Sequence, residues 1–268
     1  MSAGKTSAIG ILGGSGFYSF LPHPKAKHIP TPFSHKPVTV FHQSLNTKSV
    51  YFIPRHGQEH TIPPHRINFK ANVFALKELG VTRALGTAAV GAINPEMQPG
   101  DFVVIDQFID FSHPLSFFDG DLMLKKFDGS DLKGVIHIDM SEPYCPTLRN
   151  LFIEQLKESS RSHFSGTYFR TYGPRFETPA EINAIKRMGG DLVGMTNPSE
   201  AILCRELGIC YAAVSVVTNR AAGLQPELSQ KEVIDIFQTR QDELKNLFFH
   251  VVDKIDLSLT CSCANHLR

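Results

Sequence analysis

Short apolar segments of strand length alternate along this chain with longer segments whose apolar residues recur at helical spacing. The strand-like segments are 8–12, 38–42, 50–53, 84–89, 102–105, 190–194 and 209–217. The helix-like segments are 66–79, 146–156, 179–188, 198–207 and 230–257. Because several strand-like segments lack strict alternation, we expect both faces of their sheet to be covered. The pattern predicts an α/β fold with a large, mostly parallel or mixed central β-sheet flanked by helices.

Composition and charge narrow the possible functions. The chain has 268 residues, 42% of them hydrophobic and 20% charged, as in globular proteins with a sizeable core. No linker, repeat or charge block marks a boundary, so we expect one domain over residues 1–268. A net charge of +1 favours neither nucleic acid nor an anionic membrane surface, which leaves a small molecule as the expected partner. With no secretion signal and no apolar run of membrane-spanning length, the expected location is the cytoplasm.

Three predicted helices begin with the same signal, a capping side chain followed three positions later by a glutamate. The three sequences are TPAE at 178–181, NPSE at 197–200 and SQKE at 229–232. In a capping box the glutamate binds back to the start of its own helix. This predicts a structural role for Glu181, Glu200 and Glu232. Glu177, which lies just before the first of these helices, has no such role and is available for function.

The glycine-rich segment GGSGF at 13–17 follows the first predicted strand. A dinucleotide-binding loop would need a third glycine, a following helix and an acidic residue about 20 positions on. Here Ser19 replaces the third glycine, and the next segment is rich in proline and free of Asp and Glu. Two interpretations remain: a plain tight turn, or an anion site built from backbone N–H groups and the Ser15 hydroxyl.

Two further anion-binding candidates lie at predicted strand ends. Arg55 and His56 directly follow the strand at 50–53, and Thr196 lies between a strand and a helix N-terminus. Each of them alone has an ordinary alternative, such as a solvent-exposed Arg-His pair. Because α/β proteins place their sites at strand ends, three candidates at such positions favour a shared anion site.

The five cysteines, Cys145, Cys204, Cys210, Cys261 and Cys263, have neither the paired C-x-x-C spacing of zinc sites nor the density of a secreted disulfide framework. We interpret most of them as small buried residues. Cys261 and Cys263 are close to the C-terminus, where two interpretations remain: a frayed tail with two free thiols, or a labile redox pair.

Several blocks of this sequence resemble the trimeric purine nucleoside phosphorylase and methylthioadenosine phosphorylase family. They include GILGGSGF, PRHGQEHTIPPHRINFKANVFALKELG, GAINPEMQPGDFVVIDQFIDFS, GVIHIDMSEPYCP, TYGPRFETPAEI, GDLVGMTNPSEAILCRELGICYAAVS and VVTNRAAG. Their order and spacing over about 9–223 are those of the family. The resemblance implies a nucleoside-phosphorylase fold, a homotrimer with its active site at the subunit interface, and no metal or organic cofactor. It also implies a reaction of purine nucleoside with phosphate that gives free purine and a sugar 1-phosphate, within purine salvage.

The resemblance assigns the anion candidates to phosphate, which would be a substrate. The implied phosphate contacts are Ser15, Arg55, His56, the backbone amide of Ala88, and Thr196. The family has a threonine-rich segment where this chain has GTAAVG at 86–91, so Ala88 can offer only its backbone.

Around the sugar, the resemblance implies contacts from Met195, His60 and His137. His137 would come from the neighbouring subunit. The segment before His137 is longer than the family's usual spacing, which affects the geometry expected there. Phe176, beside Glu177, is also assigned to the substrate.

In this family, a Glu in the GPxFET block and an Asn at a strand end mark enzymes for 6-oxopurines, as do Glu177 and Asn219 here. The chemistry fits, because a 6-oxopurine presents an N1–H donor to a carboxylate and an O6 acceptor to an amide N–H. Adenine presents the reverse pattern, and a buried mismatch is strongly rejected. A flipped Asn219 amide would instead accept from an amino group. The non-functional alternatives are that Glu177 is a solvated loop charge and that Asn219 is a turn residue.

The position that meets the 5′ group of the sugar corresponds to Gln230, with Val233 one helical turn later. Gln230 suits a hydroxyl, whereas Val233 and Ile234 suit a methylthio group, and both alternatives stay open. Three functions follow. They are a 6-oxopurine phosphorylase acting on inosine, guanosine or 5′-methylthioinosine, an adenine-directed methylthioadenosine phosphorylase, and a nucleoside-binding protein without turnover.

Overall fold

The computed structural model describes residues 8–14, 17, 20–112, 115–118 and 136–263. Its strands are β1 (Ala8–Gly13), β2 (Lys25–Thr31), β3 (Ser34–Leu45), β4 (Lys48–Pro54), β5 (Val81–Ala92), β6 (Phe102–Val104), β7 (Gln107–Ile109), β8 (Ser162–His163), β9 (Thr167–Arg170), β10 (Leu192–Gly194) and β11 (Cys210–Arg220). Its α-helices are α1 (Phe69–Glu78), α2 (Pro146–Leu156), α3 (Pro179–Arg187), α4 (Asn197–Glu206) and α5 (Gln230–Lys254). A short 3-10 helix covers Pro64–Arg66. The predicted α/β class with a mixed central sheet and flanking helices is confirmed.

Within the described residues, the strands form one mixed sheet of eleven members. Along one path the order is β2-β3-β4-β1-β5-β10-β9-β7, while β11 lies along the other edge of β5 and continues to β6 and β8. β1 is parallel to β4 and β5, and β5 is parallel to β11. The carboxyl ends of these four strands therefore meet at one edge of the sheet, where α/β proteins place their sites.

Helices cover both faces of the sheet centre. In β1, Ile9 and Ile11 belong to the core beneath α2 and α5, while Ala8 and Leu12 belong to the core beneath α1 and α4. All six residues of β1 are buried. This burial on both faces explains why the strand is continuously apolar in sequence.

Each predicted strand and helix overlaps an observed one, and four strands were not predicted. β2 was missed because its sequence, KAKHIPT, carries two lysines and a proline, which are typical of an exposed edge. β7 (QFI), β8 (SH) and β9 (TYFR) are short and contain polar residues, so no apolar run marks them, unlike the equally short β6 (FVV). Among the helices of the described residues, none is both long enough and apolar enough to span a membrane.

The three predicted capping boxes have three different outcomes. At α3, the Thr178 side chain and Glu181 cap each other's backbone, so this prediction is confirmed. At α4 it is wrong, because Thr196 is the cap residue and Glu200 binds a distant arginine. At α5, Ser229 accepts from the Glu232 backbone, but the Glu232 carboxylate accepts from Gln225 instead.

Candidate active site

A cavity of about 370 Å³ opens at the edge where the parallel strands end. Eleven predicted site residues line it: Arg55, His56, His60, Ala88, Phe176, Glu177, Met195, Thr196, Asn219, Gln230 and Val233. Ser15 lies outside the described residues. His137 is described, is exposed, and is not among the residues that line this cavity in the single chain.

The cavity forms where β5 changes partners. On one edge, β5 pairs with β1 as far as Gly86 and with β10 from Gly91. Between these two partners, residues 88–90 have no described strand beside them on this edge and line the cavity. Such a switch point is where open α/β sheets bind ligands. The predicted contact of phosphate with the Ala88 backbone would require main-chain atoms at this position.

Arg55 lies at this edge, directly after β4, and only 2% of it is exposed. Its Nε and Nη2 donate to the two oxygens of Glu200, over 2.6 and 2.9 Å. Nη1 donates to the Thr87 carbonyl over 2.6 Å, and Nη2 also donates to the Leu12 carbonyl over 2.7 Å. Among the described residues, four of the five guanidinium N–H groups are thus engaged, and one N–H of Nη1 has no partner there and is available to a ligand.

Gly14, the first described residue after β1, packs against this guanidinium. A side chain at Gly14 would place its Cβ 2.6 Å from Arg55 Nη1. The glycine therefore lets the main chain just after β1 come close to Nη1 of Arg55. Gly14 and Arg55, which belong to two of the three anion candidates, meet at the same place.

Glu200 is the centre of a buried network behind Arg55. Tyr211 donates from its hydroxyl to Glu200 Oε2 over 2.7 Å, and Asn197 Nδ2 donates to that hydroxyl over 3.2 Å. The Tyr144 hydroxyl donates in turn to Asn197 Oδ1. Although burial alone lowers it, the Glu200 carboxylate raises the pKa of Arg55 overall. The network keeps a buried guanidinium charged and fixed in orientation.

His56 is fixed as a neutral acceptor. Its ring Nδ1 lies 2.8 Å from the Ile62 carbonyl, which can only accept, so Nδ1 carries the proton. Burial, and then the positive charge of Arg55, lower the pKa of His56 to about 4. At neutral pH, Nε2 therefore has a lone pair, which can accept a hydrogen bond from the hydroxyl of a monoprotonated phosphate.

Thr196, the third anion candidate, lies between β10 and α4. Its backbone N–H donates to the Tyr168 hydroxyl over 3.2 Å, and its side chain makes no capping hydrogen bond to α4. Thr196 thus lines the cavity at the positive end of the α4 dipole, where an anion is stabilised. All described members of the predicted anion set line one cavity.

Glu177 lies in the part of the cavity wall formed by the segment before α3, and is only 9% exposed. The Thr171 hydroxyl donates to its Oε1 over 2.6 Å. The alternative that Glu177 is a solvated loop charge is wrong. Within the described part of the chain, Oε2 has no hydrogen-bond partner and is available to a ligand donor.

Asn219 is 4% exposed and lies at the end of β11, beside a register shift against β5. Its Nδ2 donates to the Arg220 carbonyl over 2.9 Å, and its Oδ1 accepts from the Thr218 hydroxyl over 2.9 Å. A flipped amide would bring Oδ1 against the Arg220 carbonyl, two acceptors together, so the geometry opposes the flip. Within the described residues, the second N–H of Nδ2 has no acceptor and is available as a donor.

Gly91 makes room for this amide, because a Cβ there would lie 3.0 Å from Asn219 Nδ2. Sequence reasoning missed Thr218, whose hydroxyl orients the amide and which also lines the cavity. It also missed Tyr211 and the role of Glu200. A buried tyrosine within an apolar strand gives no local signal of its partners.

The remaining wall combines apolar and polar groups. Met195 is half-buried, and its sulfur packs where a side chain at Gly173 would lie, 2.5 Å from the Cβ position. Val233, from the first turns of α5, is half-buried, whereas Gln230 is exposed. His60 is exposed and lies with its ring centroid 4.6 Å from that of His56. Gln230 and Val233, two of the residues predicted at the sugar 5′ position, therefore reach the same cavity, whereas Ile234 is 41% exposed and is not among the residues that line it.

Comparison with known proteins points the same way. Residues 8–253 match the family model described as the phosphorylase superfamily. The chain is 44% identical to the 6-oxopurine nucleoside phosphorylase of Pyrococcus furiosus, over 97% of each chain. It is 39% identical to a Methanothermobacter thermautotrophicus protein named "Probable S-methyl-5'-thioinosine phosphorylase", over 97% of this chain and 89% of that one.

Among solved structures, the fold is similar to that of methylthioadenosine phosphorylase from Schistosoma mansoni in complex with adenine. The TM-score is 0.81 at 31% identity, over 92% of this chain and 91% of that chain. A strongly similar fold thus accompanies moderate sequence identity.

Proposed function

The chain belongs to the phosphorylase superfamily, and from this premise we propose that it catalyses the phosphorolysis of 6-oxopurine nucleosides. The reaction gives a free purine and a sugar 1-phosphate, with inorganic phosphate as co-substrate and no metal or organic cofactor. The name of the relative from Pyrococcus furiosus, 6-oxopurine nucleoside phosphorylase, supports this choice. The observation that carries it is the pair of hydrogen-bonding groups at the base end of the cavity, the Glu177 carboxylate and the Asn219 amide.

At the phosphate end, the proposal assigns Ser15, Arg55, His56, the Ala88 backbone and Thr196 to the anion. Breaking the glycosidic bond leaves positive charge on the sugar and negative charge on the purine. A phosphate held beneath the ring acts as nucleophile and also stabilises the positive sugar. The buried Arg55 and the α4 N-terminus supply fixed positive charge for this purpose, and the neutral His56 favours a phosphate oxygen that carries a proton.

At the base end, Glu177 Oε2 accepts from N1–H, and the second Asn219 N–H donates to O6. The Thr171 hydroxyl holds the carboxylate and the Thr218 hydroxyl holds the amide, so both groups are preorganised. Negative charge that develops on O6 as the purine departs strengthens the hydrogen bond from Asn219. Adenine would present an amino donor to an N–H donor, and a buried mismatch of this kind is strongly rejected.

Inosine and 5′-methylthioinosine carry the same base and differ only at the 5′ position of the sugar. An apolar part of the cavity wall favours 5′-methylthioinosine as a second candidate substrate. Val233, Ile62 and Met195 line the cavity and offer an apolar surface, which suits the methylthio group of 5′-methylthioinosine. Gln230 also lines it and suits the hydroxyl of inosine or guanosine. We assign the choice of 5′ group to Gln230 and Val233. The sugar contacts are assigned to Met195, His60 and His137, and Phe176 is assigned to the substrate.

The proposal also includes a homotrimer working in cytoplasmic purine salvage. Exposed aromatic side chains support an assembly, since Phe111 is 78% exposed, Tyr172 55% and Phe176, at the cavity, 38%. In a trimer, His137 would reach the sugar from a neighbouring subunit. Light scattering after gel filtration tests the assembly, with three times the chain mass of 29.8 kDa expected and a monomer contradicting it.

The test of the function is a substrate panel. Base release is measured from inosine, guanosine, 5′-methylthioinosine, adenosine and 5′-methylthioadenosine, each with and without phosphate. We expect release only with phosphate, and only from the three 6-oxopurine nucleosides. Turnover of 5′-methylthioadenosine alone would establish the adenine-directed alternative. Tight nucleoside binding without turnover would establish the non-catalytic one.

A substitution in the pocket tests the base assignment directly. Asn219→Asp replaces the amide donor by a carboxylate acceptor, so we expect activity on 6-oxopurines to fall and activity on adenine nucleosides to rise. The matched control is Asn183→Asp, the same change on the exposed face of α3, which should leave base preference unchanged. Unchanged preference in Asn219→Asp would refute the assignment.

A further inference from the structure

Four of the five cysteines lie together at the opposite end of β11 from Asn219. They are Cys145, Cys210, Cys261 and Cys263, and their sulfur atoms all lie within 4.8 Å of one another. They come from three segments: the residue before α2, the first residue of β11, and the chain beyond α5. The frayed tail considered from the sequence is wrong, because Cys263 is 3% exposed and packs in the core beneath α5.

The sulfur atoms are close enough together to share one ion. Cys261 Sγ lies 3.4 Å from Cys263 Sγ and 3.6 Å from Cys145 Sγ, so no single pairing stands out. A disulfide needs about 2.0 Å between its sulfur atoms. A zinc ion bound by four thiolates at about 2.3 Å separates neighbouring sulfur atoms by about 3.8 Å. These two distances are close to the edge of that tetrahedron, and all the sulfur atoms lie within 4.8 Å of one another.

The surroundings favour thiolates. Cys145 is the cap residue of α2, at the positive end of its dipole, which favours a thiolate. Arg83, opposite Cys210 in the β5–β11 ladder and 9% exposed, brings a cation to this end of the sheet. It offsets part of the negative charge of a four-thiolate zinc centre.

From this geometry we propose that Cys145, Cys210, Cys261 and Cys263 form a structural Zn²⁺ site. Four sulfur ligands in a tetrahedral arrangement are typical of zinc, and a closed set of four leaves no position for a substrate. Cys261, the half-buried member, gives the ion its way in. The fifth cysteine, Cys204 in α4, is fully buried and does not belong to the cluster.

The ion would fasten the C-terminal segment and the start of α2 to the beginning of β11. The segment already contacts the sheet there, where Arg83 donates to the Leu259 carbonyl. The active-site end of β11 is about 30 Å away along the strand, so the site acts on stability and not on catalysis. Because zinc binds the folded chain, its removal lowers the melting temperature.

The test uses the full chain, purified with reductant and without chelator. We expect about one zinc per chain by elemental analysis, and a melting temperature lowered by several degrees in chelator. Replacement of zinc by Co²⁺ should give the thiolate charge-transfer and tetrahedral d–d absorption of an S₄ site. Turnover of inosine at temperatures well below melting should be unchanged when zinc is removed.

Matched variants separate the cluster from other thiols. Cys261→Ala and Cys263→Ala should each lower zinc content at least tenfold, whereas Cys204→Ala should keep it. Two results would overturn the proposal. One is a wild-type chain that takes up neither Zn²⁺ nor Co²⁺. The other is an intact mass, without reductant, that lacks two hydrogens per pair of cysteines, which would mean disulfides. The zinc content, the Co²⁺ absorption and the intact mass do not depend on the proposed reaction.

Discussion

Two Arg–Glu pairs in this molecule share a sequence motif and a bonding pattern but lie in opposite environments. Arg175 donates from Nη1 and Nη2 to the two oxygens of Glu181, over 2.8 Å each, and their side chains are 67% and 43% exposed. Arg55 also binds Glu200 through two hydrogen bonds, but from Nε and Nη2, and both side chains are 1% exposed. Each glutamate is the last residue of an x-Pro-x-Glu sequence at a helix start.

The difference shows that burial, not the motif, decides what such a glutamate does. On the surface, Glu181 completes a capping box and its ion pair adds little, because water and salt screen it. In the interior, neither partner of the Arg55–Glu200 pair can lose the other without leaving an uncompensated charge. The buried pair can therefore fix the direction of a guanidinium at the phosphate end of the cavity, and the exposed pair cannot.

The largest expected difference is in stability. Glu200→Ala leaves Arg55 buried without a counter-charge, so we expect the free energy of unfolding to fall by about 3–5 kcal/mol. Glu181→Ala removes a cap and an exposed pair, and we expect a loss of about 1 kcal/mol. Urea unfolding of both variants measures the difference. Equal losses would mean that burial does not distinguish the two pairs.

Exchanging the arginines tests the geometry and keeps the charge. An ammonium group has three donors, so Arg55→Lys cannot replace the four hydrogen bonds of the guanidinium and also offer an N–H to phosphate. We therefore expect kcat/KM for phosphate to fall on the order of 100-fold. Arg175→Lys, on the surface, should stay within about twofold of wild type. Initial rates of inosine phosphorolysis over a range of phosphate concentrations measure both. A mild effect in Arg55→Lys would show that charge alone suffices.

The Tyr211 hydroxyl extends the buried pair into the core and has no counterpart at Arg175. Tyr211→Phe removes a donor to Glu200 and leaves Asn197 Nδ2 without its acceptor, so we expect a loss of about 1–2 kcal/mol. The KM for phosphate should rise severalfold because Glu200 holds Arg55 less firmly. Tyr172→Phe, at an exposed ring, is the control for thermal unfolding and kinetics. A wild-type free energy of unfolding and a wild-type KM for phosphate in Tyr211→Phe would show that this hydroxyl does not help to hold Arg55.

His56, next to Arg55, gives a smaller effect that depends on pH. Burial, and then the positive charge of Arg55, lower the pKa of His56 from 6.5 to about 4. As the pH falls through 6.5, the unfolded chain therefore takes up a proton and the folded chain does not. Stability therefore falls between about pH 6.5 and 4, by about 1 kcal/mol from pH 7 to 5.5.

His56→Gln should lose this contribution, whereas His35→Gln, at an exposed position, should keep it. Urea unfolding at pH 7 and pH 5.5 provides the comparison. The same slope in His56→Gln and wild type would show that another group is responsible.

The α/β class could be predicted because the strands at the sheet centre are apolar on both faces and the helices are periodic. The start of α3 could be predicted because its capping box is local, within four residues. The role of Glu200 could not, since its partner lies 145 positions away and the same local motif fits both glutamates. The cysteine cluster escaped for the same reason, because three separate segments contribute to it.

At the candidate site, sequence comparison within a known family led to most of the residues that line the cavity. Sequence alone did not reveal what holds them. The hydroxyls of Thr171, Thr218 and Tyr211 orient Glu177, Asn219 and Glu200, and a hydroxyl is too common in sequence to signal its partner. The roles assigned to the lining residues stay predictions until substrates and variants are measured.

The most direct test of the central claim is the phosphate dependence of hypoxanthine release from inosine in wild type, Glu200→Gln and Glu181→Gln. We expect no release without phosphate. We also expect a KM for phosphate raised at least tenfold in Glu200→Gln and unchanged in Glu181→Gln. Phosphate-independent release, or the same KM in all three proteins, would contradict it.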